Sequence, residues 1–166
     1  MVRTITTIEG YTKEQIFDAL AVFEVRKQWD KVMQEFNIIQ VCPEDNSEII
    51  YSSIKPPVFL ISKRDFVQKR KIWKGVSCAD SILVHVKNCQ HPDYPEKDTP
   101  VRGEVILAGN YLKTVSHNPP KVLLCMIGQN HLKGNFSASM INDKFPKGSK
   151  DMVKNLIDGL KKVYKK

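Results

Sequence analysis

Several features that usually announce chemistry are absent. The chain has 166 residues and four cysteines, Cys42, Cys78, Cys89 and Cys125, with no CxxC and the closest two eleven apart. That spacing argues against a zinc site and a disulfide framework, so reduced, mostly packing thiols are expected. The four histidines, His85, His91, His117 and His131, form no HxH or HxxxH pair, and three fall in or near expected loops. There is no GxSxG, no phosphate-binding loop and no GxGxxG. Glu44, Asp45 and Glu48 lie in or beside a turn and read as solvated. No catalytic set, metal site or cofactor is expected. No apolar run reaches the roughly 18 residues that a membrane span needs. The start, "MVRTITTIEG", lacks the apolar core of a secretion signal. A soluble, cytoplasmic protein is the expectation.

What is present suits one domain over 1–166. Hydrophobic residues make up 42% of the chain, enough for a core at this length. The net charge is +8, and residues 147–166, with seven lysines and two aspartates, carry five of those eight charges. A basic end suits acidic membrane surfaces, at about 1 kcal/mol per lysine near the headgroups. It also complements a helix dipole. A nucleic-acid partner is not expected, because RNA-binding sheets set several exposed aromatics beside their basic residues. Trp29 and Trp73 read as core residues.

Residues 2–9 are β-branched and predict a strand. Thr12 and Gln15 fit a capping box for a helix carrying Ile16, Phe17, Leu20 and Phe23 on one face. A short second helix is expected near 25–34, with Val25, Trp29, Val32 and Met33 on one side. Strands at 36–42 and 47–54 flank the turn "PEDN". "KPPVFLIS" reads as a proline-led crossing. Strands follow at 64–74 and 79–88, then a long surface loop, 88–100. The next strand, 101–116, is expected to break at Gly109. The last strand spans 121–130. Met152, Val153, Leu156, Ile157, Leu160, Val163 and Tyr164 stripe a final helix, with Ser149 as N-cap and Gly159 as its weak point. Hairpin-linked strands and one long amphipathic helix predict an antiparallel sheet curled around that helix. Such a sheet can enclose a cavity for an apolar ligand.

The strand "RDFVQKRKIW" carries the oddity. Alternation puts Arg70 and Gln68 on the face of Phe66 and Ile72. An inward guanidinium needs a partner, because a buried unpaired charge is too costly to keep. Phe66 is the only aromatic on that face.

These residues resemble a known family. "YSSIKPPVFLISKRDFVQKR" is similar to the crossing and "RDFV…R" strand of START domains, the steroidogenic-acute-regulatory-related lipid-transfer family. "RKQWD", "VRGEVILAGNYLK" and "HLKGNFSASMIN" resemble further blocks of that family, over about residues 2–164. The resemblance implies an α+β helix-grip fold: about seven curved antiparallel strands around the C-terminal helix, with two short helices after the first strand. It implies a version without the family's usual N-terminal helix and first two strands. It further implies a tunnel for one lipid, gated by the 88–100 loop and the last helix. Arg70 falls where the family places its inward arginine, and Arg64 and Asp65 fix the strand's start. The lipid-contacting residues implied are Arg70, Gln68, Phe66, Tyr51, Arg102, Met152, Leu156 and Leu160. The gate and membrane-facing residues are Pro92, Tyr94, Pro95, Lys161, Lys162 and Lys165. Sterol-binding members can pair the arginine with an acid on the neighbouring strand. Counting back through the crossing puts Tyr51 or Ser52 there, so a phospholipid or other amphiphile is favoured over a sterol. A non-enzymatic, monomeric lipid carrier or sensor is expected. The alternative is a small-molecule-binding or protein-interaction module of the Bet v 1 kind.

Overall fold

The computed structural model describes residues 1–55, 62–134 and 145–164. Most of the crossing at 55–62, the greater part of 131–147 and Lys165 lie outside them. In chain order the elements are β1 Val2–Glu9, α1 Lys13–Ala21, α2 Phe23–Arg26, β2 Met33–Cys42, β3 Ser47–Ile54 and β4 Arg64–Lys74. Then come β5 Ser81–Asn88, β6 Val101–Arg102, β7 Glu104–His117, β8 Pro120–His131 and α3 Phe145–Tyr164. One sheet runs in the order β1-β8-β7-β5-β4-β3-β2, antiparallel throughout, with β6 paired in parallel to the start of β4.

The helices cover one face of this sheet. Leu156 and Leu160 of α3 and Ile16 and Leu20 of α1 join the inward residues of β5, β7, β8 and β1 in a single buried cluster. The capping box forms: the Thr12 hydroxyl accepts from the Gln15 amide at 3.3 Å, and the Gln15 side chain accepts from the Thr12 amide at 2.9 Å.

The second helix is much shorter than its apolar spacing predicts. Val22 is extended, α2 holds four residues, and Met33 already belongs to β2. The "RKQWD" segment explains this. The Trp29 indole turns inward and donates to the Ala19 carbonyl at 2.9 Å. Asp30 accepts from Arg26 Nε at 2.9 Å and from the amides of Val32 and Met33. These bonds turn the chain out of the helix and into the first strand of the hairpin.

Three other expectations are corrected. Gly109 does not break its strand; it pairs in register with His85 and Ile127. A Cβ there would sit 2.7 Å from the Val84 carbonyl, so the glycine serves close strand approach. The irregularities of β7 fall instead at Ile106 and Val115, which accounts for two of the exposed apolar side chains. Ser149 is no N-cap, because α3 starts at Phe145 and a proline is tolerated in a first turn. The Ser149 hydroxyl bonds that of Thr4. Finally, Gly159 is a fitted contact. A Cβ at that position would lie 2.4 Å from Trp29 Cβ.

Gly159→Ala therefore tests packing against helix propensity. In an isolated helix the change gains about 1 kcal/mol. Here overpacking against Trp29 is expected to reverse the sign, with a net loss of about 1–2 kcal/mol. Thermal and urea melts read the outcome; a raised midpoint would refute the contact.

Candidate functional site: a charged pair on the gripped face

The register of β3 on β4 sets the site. Arg70 faces Glu48 across the strands, and Val86 of β5 stands on its other side. Ile72, two residues on, packs against the buried cluster, so Arg70 lies on the gripped face of the sheet. Arg70 Nε and NH2 each lie 2.5 Å from Glu48 Oε1. NH1 donates to the Ala21 carbonyl, at the end of α1, at 3.0 Å. The guanidinium lies 5.1 Å above the Phe36 ring, which in turn stacks on Phe23. Arg70 is 6% exposed. A carboxylate, a carbonyl and an aromatic face replace the water that this enclosed guanidinium has lost.

The sequence-based view of Arg70 as inward is matched by this geometry, but the view of its partner is corrected. Tyr51 pairs with Val67 and Ser52 with Phe66, and the acid opposite Arg70 is Glu48, three or four residues before the expected positions. Glu48 is not a solvated turn residue. Gln68 shares the gripped face and stands opposite Ile50 on one side and Asn88 on the other. Phe66 shares it too, packed so closely on Gly103 that a Cβ there would lie 2.4 Å from the ring. Leu156 and Leu160 are wholly buried among the cluster's side chains, whereas Met152 lies at its margin, half-buried.

Tyr51 and Arg102 lie elsewhere. Tyr51 is on the opposite face of the sheet with Val67 and Asp65. There Arg102 makes a bidentate bond to Asp65, 2.9 Å from each carboxylate oxygen. Its remaining donors reach the Tyr94 carbonyl at 3.2 Å and the Pro95 carbonyl at 3.4 Å. The Tyr94 ring packs 4.9 Å from Tyr51 and edge-on to His91. Burial, and next the nearby Asp65 carboxylate, push the Tyr51 phenol up. The segment 91–96 is thus fastened to the sheet's outer face, with Pro92 and Pro95 exposed. Arg64 binds the carbonyls of Leu132 and Lys133, which ties the start of β4 to the chain beyond β8. Lys161 and Lys162 are exposed in the last turn of α3, and Lys161 pairs with Asp158.

Glu48 and Phe36 were missed. Alternation could have found Glu48. It is the only acid in 47–54, and it shares a face with Ile50 and Ser52, whereas Tyr51 does not.

The family model of the START domain matches residues 1–165. The chain belongs to the START domain family. It is 26% identical over 157 residues to human StAR-related lipid transfer protein 6, covering 93% of this chain and 70% of that protein. It is 25% identical over 155 residues to StAR-related lipid transfer protein 5 of Mus musculus, covering 92% and 72%. The solved structure of human StAR-related lipid transfer protein 5 superposes with a TM-score of 0.85 at 23% identity, over 98% of this chain and 76% of that one, which shows the shared helix-grip fold. Lipid binding is the activity that this family and these relatives support for this START domain. None of its helices, among the described residues, is long and apolar enough to cross a membrane.

The outer pair gives a stability prediction. Asp65→Asn leaves the buried Arg102 charge unmatched, and a loss of about 3–5 kcal/mol is expected. Urea unfolding measures it, and limited proteolysis should show faster cleavage within 91–96. Unchanged stability would mean that the pair is not buried in solution.

Proposed function

We propose that this START domain holds one lipid on its gripped face and takes up lipids whose polar end is a neutral hydroxyl, the sterol type, in preference to phospholipids. The observation that carries this reading is the neutralisation of Arg70 by Glu48 at 2.5 Å. The preference for a phosphate rests on an arginine without an acid, and that premise fails. A phosphate entering here would meet the Glu48 carboxylate, and like charges in a desolvated site repel strongly. A hydroxyl does not have that conflict. It can accept from Arg70 and donate to Glu48, as a single O–H group can do both. Gln68 beside them offers a further polar contact. The rest of the ligand would be held by apolar burial, at about 25 cal/mol per Å². Carrying such a lipid between membranes, or sensing it, follows from the same binding. The exposed lysines at the end of α3 would help the domain meet acidic bilayers.

The test compares a fluorescent sterol with a fluorescent phosphatidylcholine. The wild-type domain is expected to bind the sterol more tightly. Glu48→Gln removes the counter-charge while keeping shape, and it is expected to weaken sterol binding about 10-fold. That corresponds to one hydrogen bond to a charged group. The same change should improve phosphatidylcholine binding. Circular dichroism checks that the variant folds. Tighter binding of phosphatidylcholine by the wild type would overturn the sterol preference, and failure to bind either lipid would favour a protein-interaction module. Native mass spectrometry of the domain purified from cells is expected to show one bound lipid without phosphorus.

A further inference from the structure

Exposure changes steeply along one row of the sheet. On the gripped face Val86, Arg70, Glu48 and Val41 stand side by side on β5, β4, β3 and β2. Val86 packs against the buried cluster, and Arg70 is buried. The Glu48 side chain is already 19% exposed, and Val41 is 66% exposed. Solvent therefore reaches the charged pair from the β2 side. Both Arg70 contacts fall on Oε1 of Glu48, and among the described residues Oε2 accepts no hydrogen bond.

The wall on that side is apolar. Phe36, Ile38 and Val41 of β2 stand opposite Ser52, Ile50 and Glu48, so all three lie on the gripped face. An unbroken strand would turn Ile38 and Val41 to opposite faces. The irregularity between Ile38 and Gln40 brings them to the same one. Ile38 is 51% exposed. The Phe36 ring lies between Phe23, stacked on it at 6.4 Å, and the Arg70 guanidinium. Val22 joins α1 to α2, is 40% exposed, and follows the Ala21 carbonyl that Arg70 bonds. A single exposed valine needs no explanation, but a group of apolar side chains beside a buried ion pair does.

We infer that the α1–α2 corner and β2 form a side mouth, at which a lipid in the surface of an electrically neutral bilayer passes its hydroxyl end to Arg70 and Glu48. The inference rests on the reading that these two residues hold that end. Val22, Ile38 and Val41 meet the apolar layer of the bilayer, and the Phe23–Phe36 stack is the door. Continuity with the pair names the lipid, and charge names the surface. Residues 22–46 carry three basic and five acidic side chains. Two of the basic ones are spent locally, Arg26 on Asp30 at 2.9 Å and Lys27 on Glu24. An acidic bilayer would repel this side of the domain, whereas a neutral one leaves apolar contact to decide. The mouth is separate from the segment 91–96, which is fastened to the sheet's outer face.

The experiment follows uptake of a fluorescent sterol from phosphatidylcholine vesicles by stopped flow, with equilibrium affinity measured separately. Ile38→Asn combined with Val41→Asn is expected to slow uptake about 10-fold, through lost apolar contact with the bilayer, and to keep the affinity within about twofold. Val115→Asn, which removes a comparably exposed apolar side chain from β7, should leave the rate unchanged. Phe23→Leu unstacks the door, so uptake and release should both quicken about threefold, with their ratio kept. Circular dichroism and thermal melts check that each variant folds. The two readings fail differently. A wild type that prefers phosphatidylcholine at equilibrium overturns the sterol preference, and the same rates are then read with fluorescent phosphatidylcholine. Unchanged uptake by the double variant, equal slowing by Val115→Asn, unaltered rates in Phe23→Leu, or a loss of affinity as large as the loss of rate would overturn the mouth.

Discussion

A guanidinium taken out of water has to find a counter-charge or a set of carbonyl acceptors inside the protein. Much of this structure is arranged around that constraint. Of the three arginines buried among the described residues, two lie on opposite faces of the sheet, each held by a carboxylate from a neighbouring strand. Arg70 meets Glu48 on the gripped face, and Arg102 meets Asp65 on the outer one. Both pairs exist only because β4 runs in a single register with its neighbours. A slip of one residue would turn every side chain to the other face and strand both charges.

The two pairs divide the labour. The outer pair is closed, because Arg102 also takes up the carbonyls of Tyr94 and Pro95 and so fixes a loop. The inner pair is built between a helix end and an aromatic face, with apolar residues alongside. The apolar half of α3 is tightly packed beside α1, so the polar feature of the gripped face sits towards β3 and β4. A ligand that reaches it meets a dipole with both signs present, not a net charge. That distinction separates a hydroxyl from a phosphate.

Elements with a strong local signal were legible in the sequence. The capped first helix, the "PEDN" hairpin and the striped last helix are each specified by residues close together in the chain. Features set by tertiary packing were not. The segment 25–34 has helical spacing, yet Trp29 is claimed by Ala19 and Gly159, and Asp30 by the next strand. Gly159 looks like a flaw in a helix until the indole that occupies its Cβ position is known. The partner of Arg70 was misplaced because the length of a crossing does not fix register. Face alternation points to Glu48, but distance along the chain points to Tyr51. Family resemblance reached the fold and the inward arginine, and did not reach the acid.

The hydrogen bonds that join the two ends of the molecule have a consequence for its synthesis. Thr4 bonds Ser149, the Tyr164 hydroxyl donates to the Gln15 carbonyl at 3.4 Å, and Gly159 seats Trp29. The first thirty residues and the last twenty thus complete one another. A chain leaving the ribosome has its whole sheet in hand before the helix that fills it emerges. Until then Leu112, Leu124 and their neighbours have only α1 and Trp29 to cover them. Its core stays incomplete on the side of α3 until that helix is made. During that interval a chaperone or an early-bound lipid has most to offer it.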